Sequence, residues 1–264
     1  AEGSISNSTL EVLAEGGCSW AASGQGVLVN SLIQSLDELP EPAEYLYRPY
    51  RLEKGAEGLS CFFRDDRLSD LIGFEYSKWH GDDAAQNFVD EVTAIAQKAP
   101  EGETPVVSVI LDGENAWEYF PYNGFHFLDK LYSILDVHPE IHTNTFRDYL
   151  KSNEDRPDSA KVGNLSDIVP GSWVYGDFST WIGCRDKNHA WDLLCAAKLS
   201  YDKVIASGKL SQAEQDAAEK QLSSCESSDW FWWFGDYNPS HAVVSFDRLY
   251  RHNLSELYRF LKLP

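Results

Sequence analysis

The chain has 264 residues, 43% of them hydrophobic, and a formal charge of -20 from 42 acidic and 22 basic side chains. That is enough apolar material for a sizeable core, in one α/β domain or a domain with an appendage. The acidic balance excludes nucleic acid and anionic membrane as partners, since both demand clustered Lys and Arg, and no apolar run approaches the length of a bilayer span.

The N-terminus AEGSISNST has neither the basic start nor the apolar centre of a signal peptide. Met is absent throughout, so the chain is expected to begin part-way through a longer protein. Cysteines at 18, 61, 184, 195 and 225 form no CxxC pair, and their scattered placement suits reduced thiols in a cytoplasmic protein.

In chain order, Ser6 or Asn7 can cap a short helix through Leu10, Val12 and Leu13 that Gly16 and Gly17 end. Cys18 to Ala22 is a short strand, Gly24 and Gly26 form a turn, and Val27, Leu28, Leu32 and Leu36 mark a helix closed by Pro40 and Pro42. Strands are expected over Tyr45 to Leu52 and Leu59 to Phe63, the second running directly into Arg64, Asp65 and Asp66. Leu68 to Trp79 reads as a loop or short helix. Asp82 then caps a helix with Ala85, Phe88, Val92, Ile95 and Ala96 inward, stopped by Pro100.

Val106 to Gly124, VVSVILDGENAWEYFPYNG, is the stretch around which the rest is organised. Its nearly unbroken apolar run is the pattern of a strand covered on both faces. Asp112, Glu114 and Glu118 follow at once, interleaved with Trp117, Tyr119 and Phe120. Carboxylates just past the C-terminal end of such a strand occupy the place where α/β folds bind ligands, although an acidic loop with Asp112 capping a helix fits the spacing equally. Phe127, Leu128, Leu131, Tyr132 and Leu135 mark the next helix.

Strands alternating with helices indicate parallel βαβ units, in a barrel or a doubly wound sheet. Three or four strands cannot close a barrel, so further strands are expected upstream, in the same or another chain. From Lys151 to Ile168 the composition turns polar, as in a boundary loop. Helices follow over 188–206, 211–224 and 240–262, interrupted by two aromatic loops, Gly171 to Gly183 and Ser227 to Tyr237. Aromatic faces beside carboxylates suit the apolar faces and hydroxyl edges of sugars, while core packing explains such rings as well.

Nucleotide loops and a G-x-S-x-G elbow are absent. His138 and His142 stand four apart, but Pro139 spoils the helix a zinc pair would need. Paired carboxylates are the remaining chemistry.

The run Asp112-Gly113-Glu114-Asn115-Ala116-Trp117-Glu118-Tyr119 after VVSVIL, the segment Ser228-Asp229-Trp230-Phe231-Trp232-Trp233, and the opening Ala1-Glu2-Gly3-Ser4-Ile5-Ser6 followed by Trp20-Ala21-Ala22 together resemble glycoside hydrolase family 57, its bacterial α-amylase/α-mannosidase-like members in particular. The resemblance implies the C-terminal part of an incomplete (β/α)7 barrel over residues 1–150, followed by a helical region over 151–264 whose aromatic loops close the cleft. It also implies a retaining hydrolase or glucanotransferase acting on α-glucans, with Glu2 as nucleophile in its W-P-x-E-G setting and Asp112 as acid/base. Such a mechanism needs the two carboxyl groups ~5–5.5 Å apart, Glu2 ionised and Asp112 protonated at the start. Glu114, Trp117, Trp173, Trp181, Asp229 and Trp230 are then expected to contact substrate. No metal or cofactor is implied. The family's His-Gln-Pro motif does not occur in the chain, so a missing N-terminal barrel half, in the same or another chain, is the expected partner. Two other readings are a non-catalytic carbohydrate-binding relative and a metal-dependent deacetylase-like protein.

Overall fold

The computed structural model describes residues 2–34, 36, 38–113, 117–154 and 161–263. Packing divides the chain into two compact units, Gly3–Asp177, and Phe178–Pro264 with Ala1–Glu2.

The first unit opens with α1 (Asn7–Glu15), capped by Ser6, whose hydroxyl accepts from the Thr9 amide. The Asn7 side chain ties this helix start to the Ile168 amide and the Asp167 carboxylate. β1 (Trp20–Gly24) runs two residues further than the apolar run suggests, and α2 (Gln25–Ile33) begins inside the expected Gly24/Gly26 turn. Pro42 starts a short α3 (Pro42–Tyr45), so only the end of the expected strand survives as β2 (Tyr50–Leu52). β3 (Ser60–Arg64) and α4 (Asp66–Asp70) follow, and a π turn and a 3-10 turn continue α4 to Lys78. α5 (Gly81–Lys98) and α6 (Phe125–Val137) match the expected helices within a few residues. α7 (Phe146–Glu154) is unexpected; its start precedes the polar stretch whose composition suggested a loop.

With β4 (Gly163–Leu165) the sheet has the order β1-β3-β2-β4. β1 and β3 pair in parallel from Trp20 with Ser60 to Gly24 with Arg64, as a βαβ reading requires. β2 meets β3 antiparallel, which that reading did not anticipate. Leu10, Val27, Leu28, Leu59, Cys61 and Phe63 form the core beside this sheet. Burial pushes the Cys61 thiol up to about 12, which leaves it an inert core thiol at neutral pH.

Val106–Leu111 joins no ladder among the described residues, which corrects the strand expected there. Its backbone bonds run from the Val106 amide to the Tyr47 carbonyl and from the Asp65 amide to the Ser108 carbonyl, too few and too far apart for a paired strand. The apolar pattern still has its cause: Val107, Val109 and Leu111 pack on a second core made by α4, α5 and α6, around Tyr76, Phe88 and Phe127.

Close backbone approach fixes the end of β1. A Cβ on Gly24 would lie 2.4 Å from Trp173 Cα, a backbone atom that cannot swing aside. Gly24→Ala is therefore expected to cost about 1–3 kcal/mol by overpacking, measured as a lowered thermal midpoint. An unchanged midpoint would mean that the Trp173 segment yields without cost.

The second unit is helical: α8 (Arg185–Ala206), α9 (Gln212–Cys225), α10 (Asp229–Trp233) and α11 (Ser240–Phe260). Ser211 and Glu214 form a capping box at the start of α9. Tyr250 is fully buried and its hydroxyl donates to the Ala190 carbonyl at 2.8 Å, joining α11 to α8. The Trp-rich segment expected as a loop contains a helical turn, and its rings find partners on the long helices: Phe231 stacks on Trp191 at 3.8 Å and Trp233 on Phe246 at 4.8 Å. Lys187 is buried, its ammonium donating to the Thr180 carbonyl and the Tyr237 hydroxyl.

Candidate active site

Parallel pairing of β1 with β3 brings Gly24 and Arg64 side by side at the carboxyl ends of the two strands, the edge at which α/β folds bind ligands. The extended segment ending at Leu111 arrives at the same edge. Arg64 Nε donates to the Ile110 carbonyl at 2.9 Å, two residues before Asp112. Its other nitrogens reach Asp66 at 2.9 Å and Asp70 at 2.7 Å, and the guanidinium carbon lies 5.7 Å from the centre of the Trp173 ring. Asp66 also accepts the Gln25 amide at the start of α2; burial pushes its carboxyl up, while Arg64 and Gln25 pull it down.

Gly3 joins this group from the N-terminal side. Its carbonyl accepts from the Ser23 hydroxyl, near the end of β1. Its φ of 60 favours glycine, and a Cβ there would sit 3.2 Å from Ser23 Cα and 3.5 Å from the Trp173 ring. A glycine after Glu2 thus lets the chain lie flat on the β1 end. Glu2 itself is partly buried in the turn before Gly3.

The expected site residues divide into groups. Trp173, half-buried, lies beneath the Arg64 guanidinium, and Asp112, partly buried, follows two residues after the Ile110 carbonyl that Arg64 holds. Trp117 does not join it: the indole packs over Gly124 and tilts against Phe120 at 5.5 Å. Tyr119, interleaved with the same carboxylates in sequence, is 75% exposed. Glu114 lies outside the described residues. In the second unit Trp181 is buried, with its ring 5.8 Å from that of Trp232. Asp229 is exposed at the start of α10, and the Trp230 indole donates to the Ser224 carbonyl at 2.9 Å. His138 serves its own loop, Nδ1 accepting from the Glu140 and Ile141 amides.

Of the charges that follow β3, Asp65 is structural: it caps α4 through the Leu68 amide and accepts from the Tyr47 hydroxyl. Arg64 is the residue that sequence reasoning passed over. Its signal was present, a charge at the end of an apolar run, as at Asp112. A cleft of about 600 Å³ lies against Gln25, Glu41, Tyr47, Asp65, Arg67 and Glu91; neither Asp112 nor Trp173 lines it. Among the described residues no group of three or more His, Cys, Asp and Glu could hold a metal ion.

Fold and strand-end chemistry define a mixed α/β protein with acidic and aromatic side chains at the carboxyl edge of its sheet. The sequence model of glycosyl hydrolase family 57 matches residues 1–160, and the chain belongs to that family. Three solved structures share the fold. A family 57 branching enzyme from the hyperthermophilic archaeon Thermococcus kodakaraensis aligns with TM-score 0.71 at 14% identity, over 95% of this chain and 53% of its own. The α-amylase AmyC from Thermotoga maritima aligns with TM-score 0.63 at 14% identity, over 95% of this chain and 56% of its own. The 4-α-glucanotransferase from Thermococcus litoralis aligns with TM-score 0.61 at 15% identity, over 98% of this chain and 41% of its own. The chain therefore spans about half the length of the structures it matches. A search of curated proteins gives no match.

Proposed function

We propose that the full-length protein is a retaining glycosidase or glucanotransferase acting on α-glucans, with Glu2 as the nucleophile and Asp112 as the acid/base. The family match over residues 1–160, which spans both carboxylates, carries this reading. Names of the structural relatives, a branching enzyme, an α-amylase and a 4-α-glucanotransferase, support α-glucan as the substrate class. In the first half-reaction Glu2 attacks the anomeric carbon while Asp112 protonates the leaving oxygen. In the second, Asp112 takes a proton from water or a sugar hydroxyl, which displaces Glu2. Two inversions restore the starting configuration.

Among the aromatic residues expected to meet sugar, Trp173 has the most supportive surroundings, half-buried with a guanidinium over its ring and glycines packed against its backbone. Glu114, Trp117, Asp229 and Trp230 complete the proposed contacts, while Trp181, 2% exposed, supports its loop from beneath. The chain's length relative to its structural relatives supports a further barrel half, in the same or another chain, as partner. No described helix is long and apolar enough to cross a membrane, and free thiols at all five cysteines support a cytoplasmic location.

Product anomers test the reaction type. The full-length protein acting on a maltooligosaccharide is expected to release the α-anomer first, seen by proton NMR before mutarotation. Initial release of the β-anomer would mean a single displacement and would remove the nucleophile role from Glu2.

A further inference from the structure

We infer that Arg64 is the positioning residue of the acid/base, setting the backbone from which Asp112 projects and the attitude of the Trp173 ring. This rests on the reading of Asp112 given above.

Several hydrogen bonds hold the approach to Asp112. The Val106 amide donates to Tyr47, the Ser108 carbonyl accepts from Asp65, and the Ile110 amide donates to the Ser69 hydroxyl. Nearest to Asp112, the Ile110 carbonyl accepts from Arg64 Nε. A charged donor thus fixes the carbonyl two residues before Asp112 and biases where the next residues go. Hydrogen bonds to an ionised donor are about twice as strong as neutral ones, so this anchor is stronger than the neutral bonds before it.

Arg64 is itself held. Its side chain is only 12% exposed, and the carboxylates of Asp66 and Asp70 clamp the two terminal nitrogens. Asp66 in turn accepts the first amide of α2, so the guanidinium is referenced to the end of β1 as well as to its own strand. The same planar group lies over Trp173. A fork that serves a carbonyl, two carboxylates and an aromatic face at once is geometry available to arginine and not to lysine.

Misplacing a general acid has a signature that simple destabilisation lacks. Protonation matters where the leaving group is a sugar alkoxide and little where it is fluoride. Rates are compared on a maltooligosaccharide and on α-maltosyl fluoride, in the full-length enzyme, with azide present so that the base-assisted second step does not limit either. Arg64→Lys and Arg64→Gln are expected to lose about 10–100-fold on the oligosaccharide, the scale on which misplacing a catalytic group acts, and little on the fluoride. Asp70→Asn, at a partner that is half exposed, should keep the fold and give the same split at reduced size. Equal losses on the two substrates, or none, in folded variants would overturn the inference, provided Asp112→Asn shows the split. If Asp112→Asn shows no split, the acid/base reading itself fails and the inference falls with it.

Discussion

Asp112→Asn in the full-length enzyme is expected to lower kcat on a maltooligosaccharide by about 10²–10⁴-fold, the usual contribution of a positioned proton donor, with sugar binding retained. The amide keeps the size and a hydrogen-bonding oxygen but has no acidic proton for the glycosidic oxygen. Activity on α-maltosyl fluoride should resist the change in the first half-reaction. Azide, a nucleophile that needs no base, should then restore turnover and yield the α-glycosyl azide. Unchanged turnover of the oligosaccharide would remove Asp112 from the mechanism and leave it the helix-capping role that its sequence position also allows.

Glu2→Gln should be more severe and indiscriminate. Without the carboxylate no covalent intermediate forms, so the leaving group's quality no longer matters; a loss of at least about 10⁴-fold is expected on both substrates, the scale on which removal of a covalent nucleophile acts. Azide should not rescue the variant with retention. A Glu2→Gln enzyme that still favours the fluoride strongly would place Glu2 outside the bond-forming step.

Much of the first unit was legible because its signals are local. Ser6 before an apolar-periodic run gave α1, and LSCFF gave β3 within a residue. Apolar spacing also located α5, α6 and the three long helices of the second unit. Failures came where tertiary context overrides local pattern. VVSVIL has the composition of a strand buried on both faces, yet its apolar residues pack on helices and its backbone has no ladder partner among the described residues. The Trp-rich segment was expected as a loop interrupting the helices, but stacking of Phe231 on Trp191 and of Trp233 on Phe246 lets a helical turn accommodate it. The antiparallel β2–β3 pairing carries no sequence signal at all, since Tyr50–Leu52 is three residues long.

The candidate site was half legible. Asp112 and Trp173 were visible as a carboxylate after an apolar run and an aromatic in a glycine-rich loop. The link through Arg64 was not: it stands more than forty residues before Ile110 and more than a hundred before Trp173 in sequence, and only the fold brings its guanidinium to the Ile110 carbonyl and to the Trp173 ring. Gly24 was read as a turn residue and Gly3 was given no conformational role, whereas each makes room for the Trp173 segment.

Trapping the glycosyl-enzyme tests the whole account at one atom. The full-length protein would be treated with a glucosyl fluoride bearing a second fluorine at ring carbon C5, which forms the ester but hydrolyses it slowly. Digestion and mass spectrometry should then find a single added sugar on the peptide containing Glu2, absent from Glu2→Gln. A label on another carboxylate, or steady turnover with no covalent adduct, would contradict the account.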